Sequence, residues 1–175
     1  MRVREGRPIA LIGLMGAGKS AVAPLLAVAL GASAVDLDER IEATTGRTIR
    51  EWFESEGEPA FRVREREALA QTLDSGAHVL ACGGGIVTDA GSVALLRGRC
   101  RVVWLDVSPG EAARRLGQEA AVRPLLAGEP VESRLTAIHV QRERLYNAVA
   151  HDRIVTDGRT AAEVARDIVA RLGAA

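Results

Sequence analysis

A mainly parallel β-sheet covered by helices on both faces is the fold class that this sequence predicts. Three observations predict it. Short apolar runs alternate with longer segments of helical pattern along the whole chain. The first run, Ile9-Ala10-Leu11-Ile12, leads into the glycine-rich octet Gly13-Leu14-Met15-Gly16-Ala17-Gly18-Lys19-Ser20, and a helical pattern follows it. The chain has 175 residues, enough for one domain with its own core and hardly for two.

Taken in order, Pro8 to Ile12 reads as a buried strand and Ser20 to Leu30 as a helix ended by Gly31. Ala32 to Val35 reads as a second strand. Glu39 to Thr45 is a short helix stopped by Gly46, and Thr48 starts another over Ile49 to Ser55. Glu58 to Leu73 makes a longer helix. His78 to Ala81 is a strand and Asp89 to Leu96 a helix. Arg101 to Leu105 is a strand, and Pro109 to Leu116 a helix behind Ser108. Gly117 to Pro130 has no clear periodicity, and its Gly, Pro and charged residues predict a mobile loop or lid. Val131 to Val149 is a long helix, Arg153 to Val155 the last strand, and Ala161 to Leu172 the last helix.

Composition narrows the function. Lys plus Arg and Asp plus Glu are both 23, so the formal net charge is zero. A nucleic-acid binder usually carries a basic excess, and none is present. The two cysteines, Cys82 and Cys100, lie far apart and lack metal-ligand spacing, so they read as buried small hydrophobes. No apolar stretch approaches membrane-spanning length, and Met1 to Pro8 is too short and too charged for a signal peptide. The expectation is a soluble cytoplasmic protein with no nucleic-acid or membrane partner.

The octet Gly13 to Ser20 matches the phosphate-loop pattern in full. Its glycines let backbone amides turn inward around phosphates, and the helix beginning near Lys19 adds its positive end. Lys19 would reach the β- and γ-phosphates, and the Ser20 hydroxyl would ligate Mg²⁺. No Asn-Lys-x-Asp guanine motif is present. Val102-Val103-Trp104-Leu105-Asp106 looks like the second motif of large ATPases, but Asp106 reads better as a strand-end residue before the Ser108 cap.

Val35-Asp36-Leu37-Asp38 closes the second predicted strand. Residues two apart on a strand point to one side, so Asp36 and Asp38 are expected to face one site at the carboxyl end of the sheet. One carboxylate would hold the hydration shell of Mg²⁺ and the other would accept a proton from an attacking hydroxyl. The competing reading makes Asp38 a helix N-cap, which accounts for one of the two. Cys82-Gly83-Gly84-Gly85 follows a strand and offers bare amides to an anion or close approach to a ligand ring. Arg62 sits three residues before Glu65, which would orient its guanidinium. Arg142 precedes Tyr146 in the long helix, and Arg123 precedes Pro124 inside the suspected lid.

The ordered series GLMGAGKS, VDLDERIE, TGRTIREWFESEGEPAFR, GGGIV, VRPLL, RERLY and DGR resembles the shikimate kinase family over nearly the whole chain. The resemblance implies a nucleoside-monophosphate-kinase-like fold of three α/β/α layers, with five parallel strands in the order 2-3-1-4-5 and a lid. It implies one domain: a core over 8–35 and 77–113, a substrate-binding segment over 36–66, a lid over 117–130 and a C-terminal core over 131–172. The reaction implied is transfer of the γ-phosphoryl of MgATP to the 3-hydroxyl of shikimate, in the chorismate pathway to aromatic amino acids, by a monomer.

By the same resemblance Arg62 and Arg142 clamp the shikimate carboxylate, Asp38 holds the reacting hydroxyl, and Asp36 lies near Mg²⁺ with Ser20. Gly84 and Gly85 line the ring. Arg123 swings onto the phosphates. Gly16, Ala17, Gly18, Lys19, Ser20 and Ala21 hold ATP, and Arg115, beside Arg114, stacks on adenine. Lys19, Asp38 and Arg123 are the catalytic set.

The chain departs from the family pattern at Ala21, where Thr is usual, and this predicts somewhat weaker nucleotide binding. Pro24 falls inside a predicted helix, where it removes a hydrogen bond and predicts a local bend. A gluconate kinase shares the phosphate loop but is not expected to carry the VDLD, EPAFR and GGG series. A non-catalytic relative is expected to lose Lys19, Asp38 or an anchoring arginine, and all are present.

Overall fold

The apolar runs of the sequence become the strands of one sheet. In the computed structural model, which describes residues 6–126, 128 and 130–173, β1 is Ile9–Ile12, β2 Ala34–Asp36, β3 Val79–Ala81, β4 Arg101–Asp106 and β5 Asp152–Val155. All pair in parallel, in the order β2-β3-β1-β4-β5. The helices between them are α1 (Lys19–Leu30), α2 (Leu37–Thr45), α3 (Ile49–Asp74), α4 (Ala90–Arg99), α5 (Pro109–Leu116), α6 (Val131–Val149) and α7 (Ala161–Gly173).

Alternation along each strand divides the core into two layers. Ile9, Leu11, Val79, Ala81, Val103, Leu105 and Ile154 pack with residues of α1, α5, α7 and the first half of α6. Ala10, Ile12, Leu80, Cys82, Val102 and Trp104 pack with Leu69 and Leu73 of α3, Leu96 of α4, and Tyr146 and Val149 of α6. Both faces are covered, which is why the central strands read as unbroken apolar runs rather than alternating ones. Burial of each such Leu or Ile contributes roughly 1.5–3 kcal/mol.

The register levels the carboxyl ends of the strands. Asp36 pairs with Ala81, Leu11 with Ala81 and Val103, and Ile12 with Trp104. The phosphate loop after β1, the turn after β2 and the glycine run after β3 therefore open on one edge of the sheet. A third cluster, Ile41, Trp52, Phe61 and Ala68, joins α2 to α3 beyond that edge. Trp52 Nε1 donates to Thr45 Oγ1 at 3.2 Å, and the Arg47 guanidinium lies 4.2 Å from the indole centroid.

The structure corrects several boundaries. β2 begins two residues later than the predicted Ala32 and runs on to Asp36, and α2 begins at Leu37 rather than Glu39. The two predicted helices on either side of Gly57 form one element with a kink, because Gly57 takes φ 80° and ψ 169°, outside the helical region. Thr48 caps the first part, with a reciprocal bond from its N–H to Glu51. The predicted irregular segment after α5 contains two short 3₁₀ stretches, Gly117–Val122 and Pro124–Leu126, and Leu126 is buried in the core. α1 runs unbroken past Pro24, whose ring stands on the exposed side. Cys82 and Cys100 are buried free thiols, as expected.

Candidate active site

The phosphate loop turns from β1 into α1 with Gly18 as N-cap at φ 91°. It is closely packed from behind: a Cβ on Gly16 would stand 2.7 Å from the Ala112 carbonyl oxygen of α5. Lys19 Nζ donates to the carbonyls of Gly13 and Leu14, both at 2.9 Å. Burial pushes the Lys19 ammonium down to about 8, with Asp38 opposing the shift. The first amides of α1 point out of the helix N-terminus, where an anion finds both donors and a positive dipole end.

Asp36 and Asp38 are not a pair on one strand. Asp36 ends β2 and is the N-cap of α2: its Oδ1 accepts from the backbone N–H of Asp38 at 3.0 Å and of Glu39 at 3.4 Å. Its Oδ2 accepts from Ser20 Oγ at 2.6 Å. The cap is thus Asp36, not Asp38, and the early start of α2 is the reason. Asp38 lies in the first helical turn and lines the cavity described next. Burial, reinforced by Asp36, raises its pKa, while Lys19, Arg123 and Arg62 pull the other way.

A cavity of 510 Å³ opens beside the phosphate loop. It brings together Asp38, Arg62, Gly84, Gly85, Arg123 and Arg142, residues drawn from α2, α3, the glycine run, the segment after α5, and α6. Met15, Ile49, Phe53 and Phe61 add apolar wall. Arg62 is 8% exposed and Arg142 6%, so both cations are held inside the protein. Arg62 Nη1 donates to Glu65 Oε2 at 2.7 Å, and its Nη2 to Glu58 Oε1 at 2.7 Å. Arg142 Nη2 stands 3.8 Å from the same Glu58 oxygen. Arg123 Nε and Arg142 Nη1 are buried with no hydrogen-bond partner among the described residues. Buried donors are normally satisfied, so two free guanidinium nitrogens at this cavity point to an anionic ligand.

The three glycines after β3 make room for these side chains. A Cβ on Gly83 would stand 2.2 Å from Glu65 Oε1, and one on Gly85 1.9 Å from Arg62 Nη2. Tyr146 Oη donates to the Gly84 carbonyl, which fixes the run to α6. Glu65 is fully shielded from solvent, and burial pushes its carboxyl up to about 7 against the pull of Arg62.

On the other side of the phosphate loop, Arg115 Nη1 reaches the carbonyls of Gly16 at 3.3 Å and Ala17 at 3.5 Å. Arg114 points to solvent, 72% exposed, and pairs with Glu111. Of the two neighbouring arginines, Arg115 is the one at the loop. Ala21 is exposed one residue beyond Ser20. Asp106 is engaged by Arg153, from Nε at 3.0 Å and Nη2 at 2.7 Å, as a strand-end residue rather than a site carboxylate.

Sequence reasoning missed Glu58, Met15, Phe53 and Glu111. The EGEPAFR stretch held a signal for Glu58, since it lies four residues before Arg62 and i,i+4 neighbours meet on a helix. Glu111 held the same signal, four residues before Arg115 on α5, whereas Met15 and Phe53 left none comparable, because the cavity they line is assembled from distant segments.

A family model described as shikimate kinase matches residues 15–173. A shikimate kinase of Symbiobacterium thermophilum is 42% identical over 165 residues, spanning 94% of this chain and 95% of its own. One from Streptomyces coelicolor is 47% identical over 156 residues, 89% of this chain and 90% of its own. Among solved structures, shikimate kinase from Acinetobacter baumannii in complex with shikimate superposes with a TM-score of 0.94 at 37% identity, covering 98% of this chain and 96% of that one.

Proposed function

This chain belongs to the shikimate kinase family, and from that premise we propose that it transfers the γ-phosphoryl of MgATP to the 3-hydroxyl of shikimate, giving ADP and shikimate 3-phosphate. The product feeds the chorismate route to aromatic amino acids. The observation that carries the reading is the convergence of buried Arg62 and Arg142 with Asp38 in one cavity beside the phosphate loop. A ring bearing one carboxylate and several hydroxyls needs that combination: bidentate cations at one end and a carboxylate near the reacting oxygen. We place the reaction in the cytoplasm and in a monomer. Among the described residues no helix is long and apolar enough to cross a membrane.

In this mechanism the amides of Gly16 to Ser20 and the Lys19 ammonium hold the nucleotide phosphates. Arg62 and Arg142 fix the acceptor carboxylate, with Gly84 and Gly85 along the ring, and turn the 3-hydroxyl toward Asp38. Asp38 accepts the hydroxyl proton as the new O–P bond forms and the bond between the γ-phosphorus and the β–γ bridging oxygen breaks. A carboxylate whose pKa is raised by burial is a better base near neutral pH than an exposed one. Arg123, whose Nε has no partner among the described residues, donates to the transferring group and lowers the charge that builds there. Arg115 lies against the adenine. The segment over 117–130, of which 127 and 129 lie outside the described residues, carries Arg123 and closes over both substrates to exclude water.

Mg²⁺ fits the residues present. Ser20 Oγ and Asp36 Oδ2 are hard oxygen donors 2.6 Å apart at the mouth of the phosphate loop. Mg²⁺ is usually held by one or two such groups together with substrate phosphates and water. When bound, the ion neutralises charge on the β- and γ-phosphates.

The test is ADP release with MgATP, with and without shikimate, and with gluconate and AMP as controls. We expect turnover with shikimate alone, abolished by Lys19→Ala. Folded protein that binds ATP and releases no ADP on shikimate addition would overturn the acceptor assignment. Equal turnover on gluconate would point to a different acceptor class.

A further inference from the structure

We propose that Glu111 is a positioning residue for the nucleotide, acting by locking the plane of Arg115 between the phosphate loop and the segment after β5. The inference deepens the ATP-dependent reading above and rests on it. Three stretches of chain meet at the Arg115 guanidinium. Its Nε donates to Glu111 Oε1 of α5 at 2.8 Å. Its Nη1 donates to Thr156 Oγ1 at 3.1 Å and faces the Gly16 and Ala17 carbonyls of the phosphate loop. Its Nη2 donates to the Thr156 carbonyl. Every nitrogen is therefore engaged around the rim of the plane, and the orientation of the flat group is fixed.

Glu111 is built to hold this geometry. It lies in the first turn of α5, with its N–H bonded to the Ser108 cap at 3.3 Å. Ser108 is itself tied to Asp157: its N–H donates to Oδ2 at 3.0 Å and its hydroxyl to Oδ1. Two tethers, Ser108 to Asp157 and Arg115 to Thr156, thus span the loops after β4 and β5. Nη1 of Arg115 lies 4.0 Å from where a Cβ on Gly18 would stand, at the start of α1. On the ATP-dependent reading above, a base attached to phosphates held by the loop would lie along this wall. The Arg115 side chain is 21% exposed, so it is not closed off from solvent. Gln in place of Glu111 leaves Nε only a neutral amide oxygen, a weaker partner than the carboxylate, so the Arg115 side chain regains rotamers, a cost then met at nucleotide binding.

The experiment measures MgADP affinity by calorimetry, together with kcat and both KM values, for Glu111→Gln, Arg115→Ala and the double variant. We expect Glu111→Gln to weaken MgADP and raise the KM for MgATP about tenfold. The shikimate KM and kcat should stay within about twofold, a split that a loss of folding would not produce. In the Arg115→Ala background the Glu111 effect should vanish, because both act through one group. MgADP affinity unchanged in Glu111→Gln, or an undiminished Glu111 effect without Arg115, would overturn the proposal. Should Glu111→Gln fail to fold, Thr156→Val removes another rim partner and is held to the same outcome. MgADP titration needs no acceptor, so a wrong acceptor assignment would show separately, as missing shikimate-dependent turnover.

Discussion

Arg62 and Glu65 form an ion pair inside the protein: Nη1 donates to Oε2 at 2.7 Å, and Glu65 has no solvent exposure. Glu65 Oε1 has no partner among the described residues. Burial wins over the arginine and holds the carboxyl at about 7, above its ordinary 4.5. A buried carboxyl group with one oxygen unpartnered among the described residues is therefore kept beside Arg62, and this has a consequence for stability.

The folded state binds the Glu65 proton more tightly than the unfolded state does. Stability from this group is complete below about pH 4.5 and is lost as pH rises through about 7. A shift of this size corresponds to at most about 3 kcal/mol. Thermal unfolding from pH 5 to 8 should show wild-type protein losing stability relative to Glu65→Gln. Parallel curves would place Glu65 at an ordinary carboxylate pKa.

Gly85→Ala should displace Arg62. The added methyl would sit 1.9 Å from Nη2, and the arginine has Glu58 and Glu65 on its other sides. Overpacking of this kind costs about 1–3 kcal/mol. The acceptor KM should rise at least about tenfold, with the KM for MgATP little changed. Steady-state kinetics in both substrates checks it, and an unchanged acceptor KM would mean that the guanidinium moves aside without consequence.

Asp38→Asn should lower kcat by about 10²–10⁴-fold with the fold intact, since the amide cannot take the hydroxyl proton. Asp36 caps α2, so removal of the Asp38 charge leaves the helix start in place. Circular dichroism and kcat measured on one preparation test it. Near-normal turnover would remove Asp38 as base.

Asp36→Ala should do something different. It deletes the α2 cap and the Ser20 partner together. Loss of the cap should cost about 1 kcal/mol in chemical denaturation. If Asp36 also supports Mg²⁺, the magnesium concentration for half-maximal rate should rise. Reduced stability with an unchanged magnesium dependence would leave Asp36 with the structural role alone.

Much of this was legible in the sequence because local rules wrote it. The GLMGAGKS octet between an apolar run and a helix specifies the phosphate loop, since glycines and a helix N-terminus are what phosphates need. Gly31 and Gly46 mark helix ends, and the alternation of runs specifies a parallel sheet with two covered faces. What the sequence left open was which neighbours share a space. Asp36 and Asp38 looked like a strand pair until the early start of α2 made one a cap and turned the other into the cavity. The glycine run read as bare amides, and only packing showed that Gly83 and Gly85 make room for Glu65 and Arg62. The spacing of Glu111 and Arg115 predicts their pairing on one helix, but not its use, because that depends on Arg115 meeting Gly16 and Thr156, far away along the chain. Backbone conformation follows from neighbours in sequence. Burial, pKa and side-chain partnership follow from neighbours in space, and those exist only once the sheet has brought its loops to one edge.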